Sequence, residues 1–115
     1  MVTERGDVLW IRFPARQDSE PAGLRPAVVL QSNRFNRTRI NTVIVTAITS
    51  NLRYAALPGN VRLLKGEAGL PKPSVINMTQ IAAIDLCYVE GKIGHLSPRR
   101  MEEIWNGLCL VMGPD

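Results

Sequence analysis

Several residue types that support common enzyme chemistry are scarce in this sequence. It contains one histidine, His95, and four aspartates, so a catalytic histidine pair is excluded and a carboxylate cluster for metal ions is not expected. Cys87 and Cys109 stand among apolar residues without zinc-ligand spacing, which predicts buried, reduced thiols. We therefore expect no metal ion and no other cofactor, and a structural or surface role for His95.

Long hydrophobic runs are missing as well. No apolar stretch approaches the length of about 18 residues that a membrane-spanning helix needs. The charged N-terminal segment "MVTERGD" does not resemble an export signal. The length of 115 residues suits one domain, residues 1–115, and we expect a cytoplasmic protein.

Acidic residues are absent from a central stretch of the chain. Residues 31–66 contain six basic side chains and no aspartate or glutamate, and arginine outnumbers lysine 11 to 3 in the whole sequence. Arginine suits bidentate contacts with phosphate or carboxylate groups. The pattern indicates an anionic partner, either nucleic acid or an acidic polypeptide, with an ordinary solvated surface as the alternative. The six are Arg34, Arg37, Arg39, Arg53, Arg62 and Lys65.

The remaining pattern is that of a mainly β protein. Short β-branched stretches, separated by Gly, Pro, Asn and Ser, predict strands at residues 7–13, 27–31, 42–49, 60–64, 74–78 and 80–85. No helical pattern lies between the first strands, which favours an antiparallel sheet or a small barrel over parallel units.

The C-terminal segment changes to a helical pattern. Ser97 and Pro98 are typical of an N-cap and a first helical position. Arg99 and Arg100 follow in the first turn, where the helix dipole disfavours cations, so we expect them to face solvent or an acidic partner. Apolar residues recur at helical spacing and predict a face that packs on the sheet: Met101, Ile104, Trp105, Leu108, Val111 and Met112.

One hydrolytic chemistry needs neither a metal ion nor a histidine pair. RNA carries its own nucleophile, the 2′-hydroxyl group. A protein therefore needs only to assist proton transfer and to stabilise the five-coordinate phosphorus of the transition state. Arginine, a carboxylate and a hydroxyl group are sufficient side chains for that purpose.

Three ordered stretches then resemble a known family. They are "RGDVLWIRF" (5–13), "SEPAGLRPAVVLQSNRFN" (19–36) and "TAITSN" (46–51), and "SVINMTQIAAID" (74–85) also matches in character. The sequence resembles the MazF/PemK toxin endoribonucleases. The resemblance implies an SH3-like small β-barrel of the CcdB/PemK kind with packed helices. It also implies a homodimer that cleaves single-stranded RNA at a short sequence without a metal ion, and a cognate antitoxin.

The resemblance also implies which residues form the site. The implied catalytic residues are Arg25, Thr49 and Glu20. Glu20 is included because it lies five residues before the arginine. The implied RNA-binding positions are Ser19, Pro26, Ser50 and Gln80. Since a residue before proline is biased to extended geometry, Arg25 is expected to enter its strand with its side chain directed across the loop toward Glu20.

Two other functions use related folds. A CcdB-like gyrase poison is disfavoured because the chain ends Gly113-Pro114-Asp115 and lacks the C-terminal Trp-Gly-Ile of that family. An SH3-like module that binds proline-rich peptides is disfavoured because only 5% of the residues are aromatic. An antitoxin with an acidic, flexible segment suits the arginine-rich stretch.

Overall fold

A single antiparallel sheet of six strands dominates the fold. The computed structural model describes residues 3–14 and 23–115. Neighbouring strands follow the order β4-β5-β3-β2-β1-β6. The strands are β1 (Asp7–Phe13), β2 (Gly23–Val29), β3 (Thr42–Thr49), β4 (Val61–Leu63), β5 (Ser74–Asp85) and β6 (Val89–His95); the helices are α1 (Asn33–Asn36) and α2 (Pro98–Met112), with 3₁₀ turns at Leu52–Ala56, Glu67–Gly69 and Leu86–Tyr88.

The sheet curls into a half-barrel, so the predicted β fold with a C-terminal helix is confirmed. Pairing of β3 with β5 shifts register between Thr46 and Ile48, and pairing of β1 with β6 shifts twice. Such irregularities bend a strand and increase its twist. The 12-residue β5 therefore pairs with β4 at one end and with the start of β3 at the other, where two separate strands were predicted.

Both faces of the curled sheet bury apolar side chains. Val8 of β1 lies opposite Val28 of β2, whereas the next pair, Leu9 and Ala27, points to the other face. The first core contains Val8, Val28, Leu30, Ile48, Val61, Leu63, Leu70, Ile76, Met78, Leu96 and Ile104. The second core contains Leu9, Ile11, Phe13, Ala27, Val29, Val43, Val45 and Ile84.

Helix α2 covers the first core. Ser97 accepts a hydrogen bond from the Arg100 N–H (3.3 Å), as its predicted N-cap role requires. Ile104 is fully buried, and Met101 and Leu108 pack beside it. The predicted apolar face is too wide, since Trp105, Val111 and Met112 are exposed.

The arginines at the start of α2 differ in their surroundings. Arg99 is exposed, whereas Arg100 forms a bidentate pair with Glu67 (2.5 and 3.0 Å) and contacts Glu103 (2.8 Å). The hydrogen bond from Arg100 lowers the pKa of Glu67 below its usual range. The acidic partner that we considered for Arg100 is thus supplied by its own chain.

The expectation of buried cysteines is wrong. Cys87 lies in the exposed 3₁₀ turn between β5 and β6, and Cys109 lies on the solvent side of α2. Both are free thiols. Apolar neighbours in sequence did not predict burial because a turn and an amphipathic helix each expose some of their residues. Neither helix of the described chain has the length and apolarity required to cross a bilayer.

A buried carboxylate connects the start of β1 to the end of β6. Asp7 is 1% exposed; His95 Nδ1 donates to it (2.8 Å), the Glu4 N–H donates at the same distance, and Lys92 Nζ lies 3.2 Å away. Burial alone would raise the pKa of Asp7, but these hydrogen bonds outweigh burial and hold the pKa below its usual range. His95 thus has the structural role that we expected.

We expect the free energy of unfolding to fall in acid because Asp7 must be protonated there. A carboxyl group whose folded pKa is depressed stabilises the fold above its unfolded pKa of about 3.9, and that contribution is lost as pH falls through the folded value. Urea titrations from neutral pH to pH 2 measure the loss. The Asp7→Asn variant should be about 1–3 kcal/mol less stable than the wild type at neutral pH, and its free energy of unfolding should fall less on acidification. An equal fall in the free energy of unfolding for both proteins between neutral pH and pH 2 would contradict this role.

Candidate functional site

The ends of β2 and β3 form the centre of the candidate site. The recorded pairing of β2 with β3 ends at Ala27 opposite Ala47, and Arg25 and Thr49 each stand two residues beyond that last pair. Because side chains alternate along a strand, Arg25 and Thr49 share the face of Ala27 and Ala47. Arg25 is exposed and lies in the extended strand, as the following proline favours.

A cavity of about 310 Å³ opens beside these strand ends. This volume is at the lower end of the range of small-molecule sites, about 300–1,000 Å³. Arg25 and Lys72 bring positive charge to it, and none of its described lining residues is acidic. A small anionic ligand, or one unit of an anionic polymer, suits this size and charge. The lining consists of Trp10, Leu24, Arg25, Pro26, Ile48, Ser50, Leu70, Pro71, Lys72 and Ser74.

The walls of the cavity are stiff. Trp10 of β1 lies directly opposite Pro26 of β2, so an indole ring and a proline ring flank one side. On the other side the Ser74 hydroxyl donates to the Lys72 carbonyl (2.9 Å), and Leu70 is buried in the first core. An aromatic ring with fixed surroundings provides a surface on which a flat ligand can stack.

The turn after β3 presents two hydroxyl groups. Thr49 is half-buried, and its Oγ1 accepts a hydrogen bond from the Asn51 N–H (3.1 Å). Asn51 in turn accepts from the Arg53 N–H (3.1 Å) and caps the following 3₁₀ turn. Ser50 is exposed and lines the cavity. The local hydrogen bonds therefore fix the Thr49 hydroxyl at the strand end.

The structure does not bring all the expected residues together. Gln80 is half-buried in β5, five residues beyond Val75, the residue opposite Thr49, and it does not line the cavity. Ile81, the next residue, pairs with Thr46 across the irregularity in β5, so Gln80 lies about three residues of β3, or roughly 10 Å, from Thr49. Ser19 and Glu20 lie outside the described residues.

The cavity also includes residues that the sequence pattern did not single out. Trp10 was treated only as part of a strand, and Lys72 only as part of a connection between strands. A signal for Lys72 was present in "LPKPS", where two prolines fix the backbone on either side of one cation. For Trp10 the signal was weaker, since a tryptophan in a strand most often belongs to a core.

Metal-ligating side chains do not cluster in this part of the chain. Within residues 3–14 and 23–115, no three side chains of histidine, cysteine, aspartate or glutamate lie close enough together to hold a metal ion.

Sequence comparison identifies relatives along nearly the whole chain. The model of the PemK-like, MazF-like toxins of type II toxin–antitoxin systems matches residues 4–112. The endoribonuclease MazF6 of Mycobacterium tuberculosis (strain H37Rv) is 37% identical over 112 residues, which cover 97% of this chain and 98% of the relative. The endoribonuclease MazF of Staphylococcus saprophyticus is 36% identical over 109 residues, covering 95% and 90%.

Structural comparison supports the same fold. A mycobacterial endoribonuclease, solved in complex with its cognate antitoxin, superposes with a TM-score of 0.79 at 19% identity and covers 98% of this chain and 97% of that one. The family model covers residues 4–112, and the two curated relatives are 37% and 36% identical over nearly all of the sequence. The chain therefore belongs to the PemK-like, MazF-like family of toxins of type II toxin–antitoxin systems.

Proposed function

We propose that this protein is a toxin endoribonuclease that cleaves single-stranded RNA at a short sequence without a metal ion. Its family membership and two curated relatives that are endoribonucleases support the reaction class. The observation that carries the proposal is a cationic cavity that Arg25 and Ser50 line, at the strand ends where Thr49 also lies. An arginine and a hydroxyl group at one strand end match what cleavage through the RNA 2′-hydroxyl needs.

The reaction is an internal transfer at phosphorus. The 2′-oxygen forms a bond to the adjacent phosphorus, the bond from phosphorus to the 5′-oxygen breaks, and the products are a 2′,3′-cyclic phosphate and a 5′-hydroxyl end. One proton leaves the 2′-hydroxyl and one reaches the departing 5′-oxygen. Negative charge builds on the non-bridging oxygens as the phosphorus becomes five-coordinate, so fixed donors near those oxygens lower the barrier.

The proposed catalytic residues are Arg25, Thr49 and Glu20. The guanidinium group of Arg25 offers donors in a planar fork that fits two phosphoryl oxygens at once. The Thr49 hydroxyl is already oriented by the Asn51 N–H, so its own proton is available to a phosphoryl oxygen. Glu20 supplies the carboxylate of this set and takes part in proton transfer.

The proposed RNA-binding residues surround the scissile phosphate. Pro26 and Ser50 line the cavity, together with Trp10 and Lys72. A base can stack on the indole ring of Trp10 while the cations contact the flanking phosphates. Ser19 and Gln80 complete the set that we propose.

Family membership supports a proposal about assembly, regulation and location. We propose a homodimer in the cytoplasm, inhibited by a cognate antitoxin with an acidic, flexible segment. The mycobacterial neighbour was solved with its own antitoxin. The acid-free stretch of residues 31–66 provides the complementary charge.

Cleavage of RNA but not of matched DNA tests the reaction class. An unstructured RNA and a DNA of the same sequence are incubated with antitoxin-free protein in excess EDTA, and the fragments are resolved on a denaturing gel. We expect discrete cuts in the RNA alone, because DNA has no 2′-hydroxyl group. Cleavage of both polymers, or activity that EDTA abolishes, would contradict the proposal.

A further inference from the structure

The largest irregularity of the sheet lies in the middle of β5. Thr46 of β3 pairs with Ile81 and Ile48 pairs with Ile76, so two steps along β3 correspond to five steps along β5. Residues 77–80 therefore contain three residues more than the facing strand needs, and we call them the β5 bulge. Bulges are frequent beside active sites, where they redirect a side chain. The conformation of this segment thus determines where its side chains lie.

Three polar side chains hold the backbone of the β5 bulge. Thr46 is fully buried, and its Oγ1 donates to the Asn77 carbonyl (2.6 Å). Asn77 is 6% exposed, and its Oδ1 accepts from the N–H (3.2 Å) and from the hydroxyl (2.7 Å) of Thr79. Asn60, directly before β4, accepts from the Met78 N–H (2.8 Å). Because buried polar groups are costly unless they are bonded, these contacts fix the bulge in one conformation.

Asn60 also reaches the turn that follows β3. Its Nδ2 donates to the carbonyl of Tyr54 (2.9 Å), in the 3₁₀ turn Leu52–Ala56, which begins three residues after Thr49. Met78, which Asn60 contacts with its Oδ1, has its side chain fully buried in the first core. One amide group therefore ties the bulge and this turn to each other.

Gln80 is the side chain of the β5 bulge that belongs to the proposed site. It is half-buried and lies about three residues of β3, or roughly 10 Å, from Thr49. At that distance a contact between Gln80 and RNA acts on binding and not on the bonds that form and break. A glutamine amide carries donors at one end and an acceptor at the other, so it recognises a base edge only when its position and orientation are held.

We propose that Asn60 is a positioning residue that holds Gln80 in place to recognise one base of the RNA beside the cleavage site. This inference rests on the proposed function. Asn60 acts through the Met78 N–H: it fixes the backbone of the bulge, and the backbone fixes the origin of the Gln80 side chain. A role in stability alone would change the melting temperature but not the base that the enzyme prefers.

The test measures which base each variant no longer recognises. A short RNA with one mapped cleavage site is made as a set in which each position of the site is varied in turn. Single-turnover cleavage in excess EDTA is followed over a range of protein concentrations. This experiment gives a half-saturating protein concentration and a maximal rate for every RNA.

The variants separate the two bonds of Asn60. Asn60→Ala removes both, whereas Asn60→Asp keeps an acceptor for the Met78 N–H and loses the donor to Tyr54. Gln80→Ala and the double variant Asn60→Ala/Gln80→Ala complete a cycle, and Asn106→Ala is the control, since it removes an exposed asparagine of α2. If Asn60→Ala does not fold, Thr46→Val replaces it, because it removes another bond to the bulge with little change in shape.

We expect Asn60→Ala and Gln80→Ala to lose discrimination at the same position of the RNA. Each should raise the half-saturating protein concentration about 3–10-fold, the loss of one hydrogen bond, with a smaller change in the maximal rate. The double variant should match Gln80→Ala, because the same contact is already lost. Asn60→Asp should recover most of the affinity and the base preference, and Asn106→Ala should match the wild type.

Three results would overturn the inference and leave the proposed function standing. The first is wild-type cleavage and base preference by Asn60→Ala or by Gln80→Ala, with or without a lower melting temperature. The second is an additive effect in the double variant, or loss of discrimination at different positions. The third is an equal defect in Asn60→Asp and Asn60→Ala, which would show that the bond to Met78 does not position Gln80. A wild type that cuts no RNA would refute the proposed function and this inference with it.

Discussion

Arg25→Ala should lower the rate constant of RNA cleavage by about 10²–10³-fold, the usual cost of removing one donor that stabilises a developing negative charge. Arg25 lies near the start of β2 at the surface and lines the cavity, so the substitution leaves both cores untouched. The loss should therefore appear in single-turnover cleavage at saturating protein, where weaker RNA binding alone has no effect.

Two companion variants make this result interpretable. Arg99→Ala removes an exposed arginine from the start of α2 and should cleave at the wild-type rate. Arg25→Lys keeps the charge but loses the planar fork, so we expect it to recover only part of the activity. Wild-type cleavage by Arg25→Ala would remove Arg25 from the proposed catalytic set.

Ile104→Ala should destabilise the fold by about 2–5 kcal/mol, the range for removing a buried isoleucine side chain and leaving a cavity. Ile104 is fully buried and is the α2 side chain that lies within the first core, with Met101 and Leu108 packed against that core. The helix cannot collapse onto the sheet to fill the gap, because the Gly107 backbone already lies against Gly59: a Cβ at Gly107 would stand 2.2 Å from the Gly59 carbonyl oxygen. The lost volume therefore remains as an internal void.

Urea denaturation measures this cost. The midpoint should fall at an unchanged slope, which indicates lower stability with the same surface exposed on unfolding. Leu110→Ala provides the control, because Leu110 lies on the same helix and is 63% exposed; its effect should stay within about 0.5 kcal/mol. Equal midpoints for the two variants would show that α2 does not support the first core as described.

The sequence predicted those strands and helices that are marked by residue patterns within the element itself. Alternating β-branched residues marked β1 and β3, and the Ser97 cap followed by Pro98 marked α2. The strand β6 escaped prediction because "VEGKIGH" has two glycines and three polar or charged residues, and it is held by pairing with the distant β1. The union of two predicted strands into β5 is likewise a result of pairing with β3 and β4 at its two ends.

The residues of the candidate site also fall into two groups, those that the sequence analysis located and those that it did not. The resemblance named Arg25 and Thr49, and each lies two residues beyond the last recorded pair of β2 and β3, Ala27 with Ala47. Our sequence analysis singled out neither Trp10 nor Lys72, because the cavity brings together residues from β1 and from the segment before β5, far apart along the chain. The exposed positions of Cys87 and Cys109 also depend on which side of a turn or helix meets solvent, which neighbouring residues do not determine.

The most direct test of the central claim is to remove one 2′-hydroxyl group from the RNA and to ask whether the adjacent bond is still cut. After a cleavage site has been mapped, the RNA is resynthesised with a single 2′-deoxy nucleotide on the 5′ side of that bond and incubated with protein in excess EDTA. We predict that this bond is no longer cut, and that unmodified RNA yields a 2′,3′-cyclic phosphate, or the 3′-phosphate from its hydrolysis, and a 5′-hydroxyl end. Cleavage of the deoxy-substituted bond, or fragments with a 5′-phosphate, would show that water is the nucleophile and would contradict the mechanism.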